Sequence, residues 1–303
     1  MRRGAQPACE AEAMSEGSHV VAVLGRGLVD ADERVITADD LGLTRGDGCF
    51  DSTLVRTDRA GNAAAVDLEG HLDRLERSAR ALDLDNPPRS AWRDLAACAL
   101  DTWSTPGEAV LKLVLTRGRE WRPAGPTAYV SVTHLRDLGT GEAGPPRTIT
   151  AVTLTRGHPA DAFREAPWLL GGVKTLSYVV NVAAQREARR RGADDVIFTT
   201  TDGYALDGPT SGLLVARDGV LLSTPPGDTG ILESVTVEAI FEAARREGRE
   251  ARWALVPVED LYRSDGLWLV SSGRGPVLVT ELDGRPLRHD PGLAGDVAGY
   301  AGF

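Results

Sequence analysis

Apolar and polar positions along the chain follow two periods, and the changes between them mark the elements. Short apolar runs and period-two alternation predict strands at residues 20–24, from Phe50 to about residue 56, at 110–116 and at 127–135. Between them Leu68, Leu72, Leu75, Ala79 and Leu82 recur at helical spacing, so residues 68–84 read as a helix with one buried stripe, stopped by Pro87-Pro88. His71 and Arg74 are three apart and share a face of that helix. A second helix is expected over 91–103, before Pro106-Gly107. The glycine-rich stretch from Leu41 to Gly48 reads as a tight polar loop. In the second half, strands are expected at 148–154, 195–200, 204–207, 213–217, 220–223, 267–270 and 277–282, and helices at 179–191 and 234–247. Asp218-Gly219 fits a hairpin turn.

This order gives an α/β (α+β) fold class in two domains. Residues 19–135 form an N-terminal α/β sandwich. Residues 136–147, rich in glycine and proline, read as an interdomain connector. Residues 148–303 are strand-rich with two inserted helices, closer to a barrel-like sheet than to a doubly wound one. Residues 1–18 are small and polar, lack a hydrophobic signal core, and read as a disordered tail.

Composition narrows the function. With 303 residues and 42% hydrophobic content, the chain can bury a sizeable core. A net charge of −10 and the lack of a basic stripe argue against nucleic acid as a partner. Arg189-Arg190-Arg191, the densest basic run, ends a helical segment, where cations suit the dipole. No apolar run is long enough to span a membrane. Cys9, Cys49 and Cys98 lack metal-ligand spacing and form no framework, so no metal is expected, and free thiols in a cytoplasmic protein are the simplest account.

The chemistry centres on Lys174. It follows the apolar Trp168-Leu169-Leu170 and the pair Gly171-Gly172, and it precedes Ser177, Tyr178 and Asn181. A lysine at such an edge is half-buried, and desolvation disfavours its charged form, as an imine-forming amine requires. Alone, such a lysine is more often one that snorkels from an apolar patch.

Several motifs stand in order around it: Gly46-Asp47-Gly48-Cys49-Phe50, His71-Leu72-Asp73-Arg74-Leu75, Leu111-Lys112-Leu113 with Thr116-Arg117-Gly118, Lys174-Thr175-Leu176-Ser177-Tyr178, and Asp202-Gly203-Tyr204 leading to Asp207-Gly208. Together they resemble the class IV aminotransferase family, the fold type IV enzymes that use pyridoxal phosphate, over about residues 20 to 290. Within it the block from Lys112 to Arg122 is most similar to the substrate loop of the aminodeoxychorismate lyases.

The resemblance implies a cofactor, pyridoxal 5'-phosphate, and a role for each matching residue. Lys174 would form the Schiff base with the cofactor and act as the proton-transfer base. Arg74 would grip the phosphate, together with Val235 and Thr236 at a helix start and the hydroxyl of Ser272; a guanidinium and a helix N-terminus are both suited to an anion. Tyr178 would bond the phenolic oxygen, and Asp207 would face the pyridinium nitrogen where the family has glutamate. Gly212, Glu233 and Ser234 also depart from the family pattern. Ser52 would protonate the leaving group, and Arg117 and Arg122 are candidates for substrate carboxylates. The implied activity is that of a homodimeric 4-amino-4-deoxychorismate lyase yielding 4-aminobenzoate and pyruvate. The alternatives are a class IV amino-acid aminotransferase, or a diverged member that has lost the cofactor and serves as a binding partner.

Overall fold

In the computed structural model of the protein, residues 19–135 and 148–302 are described. The expected tail and connector lie outside them. The chain divides into two compact units: the residues up to 135 with Val173–Ser177, and residues 148–172 with those from Tyr178 onward.

The first unit runs β1 (His19–Val23), β2 (Gly27–Val29), α1 (Leu41–Arg45), β3 (Gly48–Thr57), β4 (Ala63–Ala65), α2 (Leu68–Ala81), α3 (Arg89–Thr102), β5 (Gly107–Thr116) and β6 (Thr127–His134). Its sheet has the order β2-β1-β6-β5-β3-β4. The long β3 pairs antiparallel with β5 from Gly48 opposite Thr116 to Thr57 opposite Gly107. Because side chains alternate, one register fixes two faces. Cys49, Val55, Leu111, Leu113, Leu115, Val130 and Val132 turn to one side and pack against Leu72, Leu75 and Ala79 of α2 and Trp92, Leu95 and Ala99 of α3. The opposite face carries Phe50, Ser52, Lys112 and Tyr129, none fully buried. The stretch expected as a loop contains α1, capped by the Asp40 side chain, which accepts from the Gly42 N–H, and closed by Gly46 at φ 70. Asp40 is fully buried because Thr116 (2.9 Å) and Thr127 (2.8 Å) also donate to it.

The second unit contains β7 (Thr148–Thr155), α4 (Val179–Arg190), β8 (Asp195–Thr199), β9 (Tyr204–Ala205), β10 (Gly212–Arg217), β11 (Val220–Ser223), α5 (Val235–Arg246), β12 (Ala251–Trp253), β13 (Val256–Pro257), α6 (Val258–Leu261), β14 (Gly266–Ser271), β15 (Gly275–Leu282), β16 (Arg285–Pro286) and α7 (Pro291–Tyr300). Nine strands follow the order β12-β11-β10-β14-β15-β7-β8-β9-β13, and β16 pairs with β15. α5 and α7 cover one face through Phe241, Ile240 and Val297 against Leu214, Trp268 and Val270. α4 buries Ala184 and Ala188 against Val152, Val196 and Phe198. Leu213, Val215, Leu267, Leu269, Val277 and Val279, on the alternate face of their strands, form a further core. Burial on both faces is why these strands read as continuous apolar runs. The whole is a mixed α/β fold with two curled sheets.

Among the described residues no helix is long and apolar enough to cross a membrane, and no group of three or more His, Cys, Asp or Glu could hold a metal ion. Cys49 is a free, buried thiol, and burial, reinforced by the Asp51 charge, pushes it up to about 12, so it packs rather than reacts.

Leu75 has no exposed surface and joins α2 to the sheet. Leu75→Ala is expected to lower the unfolding free energy by about 2–5 kcal/mol in urea titrations.

Candidate active site

The sequence placed Lys174 in the second domain. Its backbone instead belongs to the first unit, because Val173–Ser177 runs along β3. The Lys174 carbonyl accepts from the Phe50 N–H (3.0 Å), the Gly48 carbonyl accepts from the Leu176 N–H (2.9 Å), and Cys49 and Thr175 form an antiparallel bridge. The glycines of the Gly46-Asp47-Gly48 motif are explained by this approach: a Cβ at Gly46 would lie 2.3 Å from the Ser177 hydroxyl, and one at Gly48 2.7 Å from Leu176 Cδ1. The lysine is half-buried, with Nζ 4.7 Å from the centre of the Phe50 ring. The chain has only two lysines, and the other, Lys112, places its Nζ 5.4 Å from the same ring. Ser52 is two residues beyond Phe50 on β3, hence on the same face, opposite Lys112 in the register.

Helix α2 presents a second buried stripe, polar rather than apolar. His71, Arg74 and Ser78, at i, i+3 and i+7, are all nearly sealed from solvent. The Ser78 hydroxyl accepts from the Lys174 N–H (3.2 Å). Arg74 pairs with Asp51 of β3, and its Nε and Nη2 donate to the two carboxylate oxygens, each at 2.7 Å. His71 Nδ1 lies 2.7 Å from Asp51 Oδ1. An ionised carboxylate only accepts, so Nδ1 carries the proton in that contact. Burial alone would raise the Asp51 carboxyl, but the Arg74 charge, with the Arg74 and His71 hydrogen bonds, holds it well below the usual carboxylate range. Asp51 and Ser78 escaped the sequence reading. Asp73 and Glu76, neighbours of Arg74 on α2, bind Arg89 rather than Arg74.

Arg117 is anchored on the same unit. Its Nε donates to Asp47 (2.6 Å), Nη1 to the Asp83 carbonyl (3.0 Å) and Nη2 to the Leu82 carbonyl (2.8 Å). A role with substrate would require exchanging these bonds. Arg122 is exposed.

The second unit holds the other residues. Ser234 caps α5, and its side chain accepts from the Val237 N–H at 3.3 Å. The N–H groups of Val235 and Thr236, in the first turn, have no intrahelical acceptor and carry the positive end of the dipole. The hydroxyls of Thr236 and Ser272 are 3.0 Å apart. The loop bearing Ser272 is held by Arg274, which donates to buried Asp195 (3.1 Å). Gly212 makes room for this helix end: a Cβ there would lie 3.1 Å from Ser234 Cβ and 3.2 Å from Val237 Cγ2. Its departure from the family pattern therefore has a packing cause. Glu233 is exposed. Tyr178 is the half-buried N-cap residue of α4, and Asp207, also half-buried, accepts at its carbonyl from the Phe198 N–H (2.9 Å). Two hydroxyls and two N–H groups at one helix tip are a donor set suited to a phosphate.

The depressed Asp51 carboxyl has a pH signature. Its contribution to stability is full above the ordinary aspartate value of about 4 and is lost as pH falls below it toward the folded value. The difference in unfolding free energy between wild type and Asp51→Asn is therefore expected to shrink on acidification below about pH 4. A difference that stays constant in urea titrations across that range would contradict the assignment.

Comparison with known proteins shows the family. The profile of the family described as amino-transferase class IV matches residues 48–282. A bifunctional aminodeoxychorismate lyase / D-amino acid transaminase of Mycobacterium tuberculosis is 44% identical over 267 residues, which is 85% of this chain and 89% of that protein. A solved structure described as a hypothetical aminotransferase from Mycobacterium tuberculosis, PLP-bound form, superposes with a TM-score of 0.85 at 41% identity, covering 94% of this chain and 97% of that one. A fold IV transaminase from Curtobacterium pusillum superposes with a TM-score of 0.84 at 36% identity, over 94% and 97% of the two chains. A half-buried amine laid against β3, an arginine fork on α2 and a hydroxyl-rich helix tip thus stand on a chain that belongs to the class IV aminotransferases.

Proposed function

We propose that the protein is a 4-amino-4-deoxychorismate lyase that uses pyridoxal 5'-phosphate and works as a cytoplasmic homodimer. The observation that carries this reading is the amine of Lys174 lying on the β3 face that also bears Ser52. Support comes from the relative in Mycobacterium tuberculosis, whose name includes that lyase activity.

Lys174 is the residue to hold the cofactor covalently. Arg74 is a candidate to bind the phosphate, as are the Val235 and Thr236 N–H groups and the Ser272 hydroxyl. Tyr178 and Asp207 serve the phenolic oxygen and the ring nitrogen. When bound, the cofactor supplies an electron sink for the carbon that carries the substrate nitrogen. Lys174 Nζ then takes the proton from that carbon as general base. Ser52 Oγ delivers a proton to the departing enolpyruvyl group, which leaves as pyruvate while the ring becomes aromatic. Arg117 and Arg122 are the candidates for the two substrate carboxylates.

A second reading, a class IV amino-acid aminotransferase, is favoured by the second activity in that relative's name. In that reading Lys174 would again move the proton, the bound cofactor would carry the amino group, and a keto acid acceptor would be required.

Purified protein given aminodeoxychorismate is expected to release pyruvate and 4-aminobenzoate in equal amounts without any keto acid, and Lys174→Ala to release neither. Turnover of amino acids only when a keto acid is present, with no 4-aminobenzoate formed, would replace the lyase by the aminotransferase.

A further inference from the structure

The chemistry just described uses one of the chain's two lysines and leaves the other without a task. Lys112 stands in the middle of β5, opposite Ser52 of β3 on one side and Ser131 of β6 on the other. By the alternation of the strands its side chain shares a face with Phe50, Ser52, Tyr129 and Ser131. It is exposed. Strands β3, β5 and β6 contain only two acids, Asp51 and Glu108. Asp51 turns to α2, where it binds Arg74, and Glu108 pairs with Arg56. Among the described residues, the ammonium of Lys112 interacts with the Phe50 ring and with no carboxylate. A ring face attracts an ammonium but does not replace a counter-ion.

The same ring holds Lys174. Nζ of Lys112 is 5.4 Å and Nζ of Lys174 4.7 Å from its centre, so the two amines are at most about 10 Å apart. A substrate whose nitrogen takes the place of Lys174 thus ends within a small molecule's length of a second cation. Aminodeoxychorismate carries one carboxylate on the ring carbon opposite its amine, roughly 6 Å from the nitrogen by ordinary bond lengths. With an ammonium–carboxylate hydrogen bond of about 2.8 Å, the span is about 9 Å, inside that limit. Arg117 spends its fork on Asp47 and on the Leu82 and Asp83 carbonyls. Lys112 has no such bonds to give up, and the hydroxyl of Ser131 beside it is a further donor to the same carboxylate.

We propose that Lys112 is a substrate-binding residue: its ammonium holds the ring carboxylate opposite the reacting nitrogen. The proposal rests on the lyase reading for the identity of that substrate. It differs from a structural role for Lys112 in one respect, because a lysine that merely packs on Phe50 supports charged and neutral ligands alike.

4-Aminobenzoate and 4-aminobenzamide have the same ring and amine and differ in the charge of the group opposite the nitrogen. Their dissociation constants for the holoprotein are measured by isothermal titration calorimetry in wild type and Lys112→Met, with thermal unfolding of both recorded alongside. Wild type is expected to prefer the benzoate. Lys112→Met, which keeps a flexible stem and removes the charge, is expected to weaken the benzoate by about 10-fold, the scale of a lost charged hydrogen bond, and to leave the benzamide as in wild type. A wild type without that preference, or an equal change for both ligands in Lys112→Met, or no change, would overturn the proposal. If Lys112→Met does not fold, Lys112→Gln takes its place with the same expected and contrary results. Release of 4-aminobenzoate from aminodeoxychorismate is a separate arm. If wild type releases none while the neutral variant loses the benzoate selectively, the lyase reading falls and the carboxylate site stands. If wild type releases it while the neutral variant binds both ligands as wild type does, the lyase reading stands and the proposal falls.

Discussion

A carboxylate with no solvent exposure is stable only if something keeps it ionised, and in this protein that something is the Arg74 guanidinium. The pair joins the middle of β3 to α2. Once α2 is held at that position, the next turn of its polar stripe brings Ser78 to the backbone N–H of Lys174. The strand itself supplies the other restraints on the lysine through Gly48 and Phe50. One helix face and one strand thus fix both the arginine and the lysine, and removing one partner of the buried pair would leave the other charged and unmatched.

The second unit solves a similar problem with neutral groups. At the start of α5 the cap is made by Ser234, and the two N–H groups before the capped Val237 lie beside the Thr236–Ser272 hydroxyl pair. A glycine at position 212 is what lets the helix end sit so close to β10. The Asp195–Arg274 pair ties the Ser272 loop to β8, so a surface loop inherits the rigidity of a central strand.

The long elements were legible because their apolar spacing is set by the same packing that buries them. Helix α2 and strands β3, β5 and β6 are of this kind. The short strands β2, β4, β12, β13 and β16 hold two or three residues each, too few for any period to register. Helix α7 has a readable start, Asp290 capping with Pro291 behind it, but its glycines hide the helical pattern. At the site, the shared face of His71 and Arg74 followed from spacing, whereas their partner Asp51 did not. Alternation along β3 tells which face Asp51 takes, not which helix covers that face, and Asp51 lies 20 residues before His71 and 23 before Arg74 in sequence. Arg117 shows the converse. The motif marked it as a substrate ligand, and the tertiary structure gives it Asp47 and the two carbonyls that close α2.

The central claim is that one amine of this chain carries the cofactor. The composition makes it unusually easy to test, because Lys174 competes with a single other lysine, Lys112, against the same aromatic ring. Borohydride reduction of the holoprotein, followed by digestion and tandem mass spectrometry, reads the attachment directly. A phosphopyridoxyl group on Lys174 is the predicted result; the group on Lys112, or on neither lysine, would contradict the account.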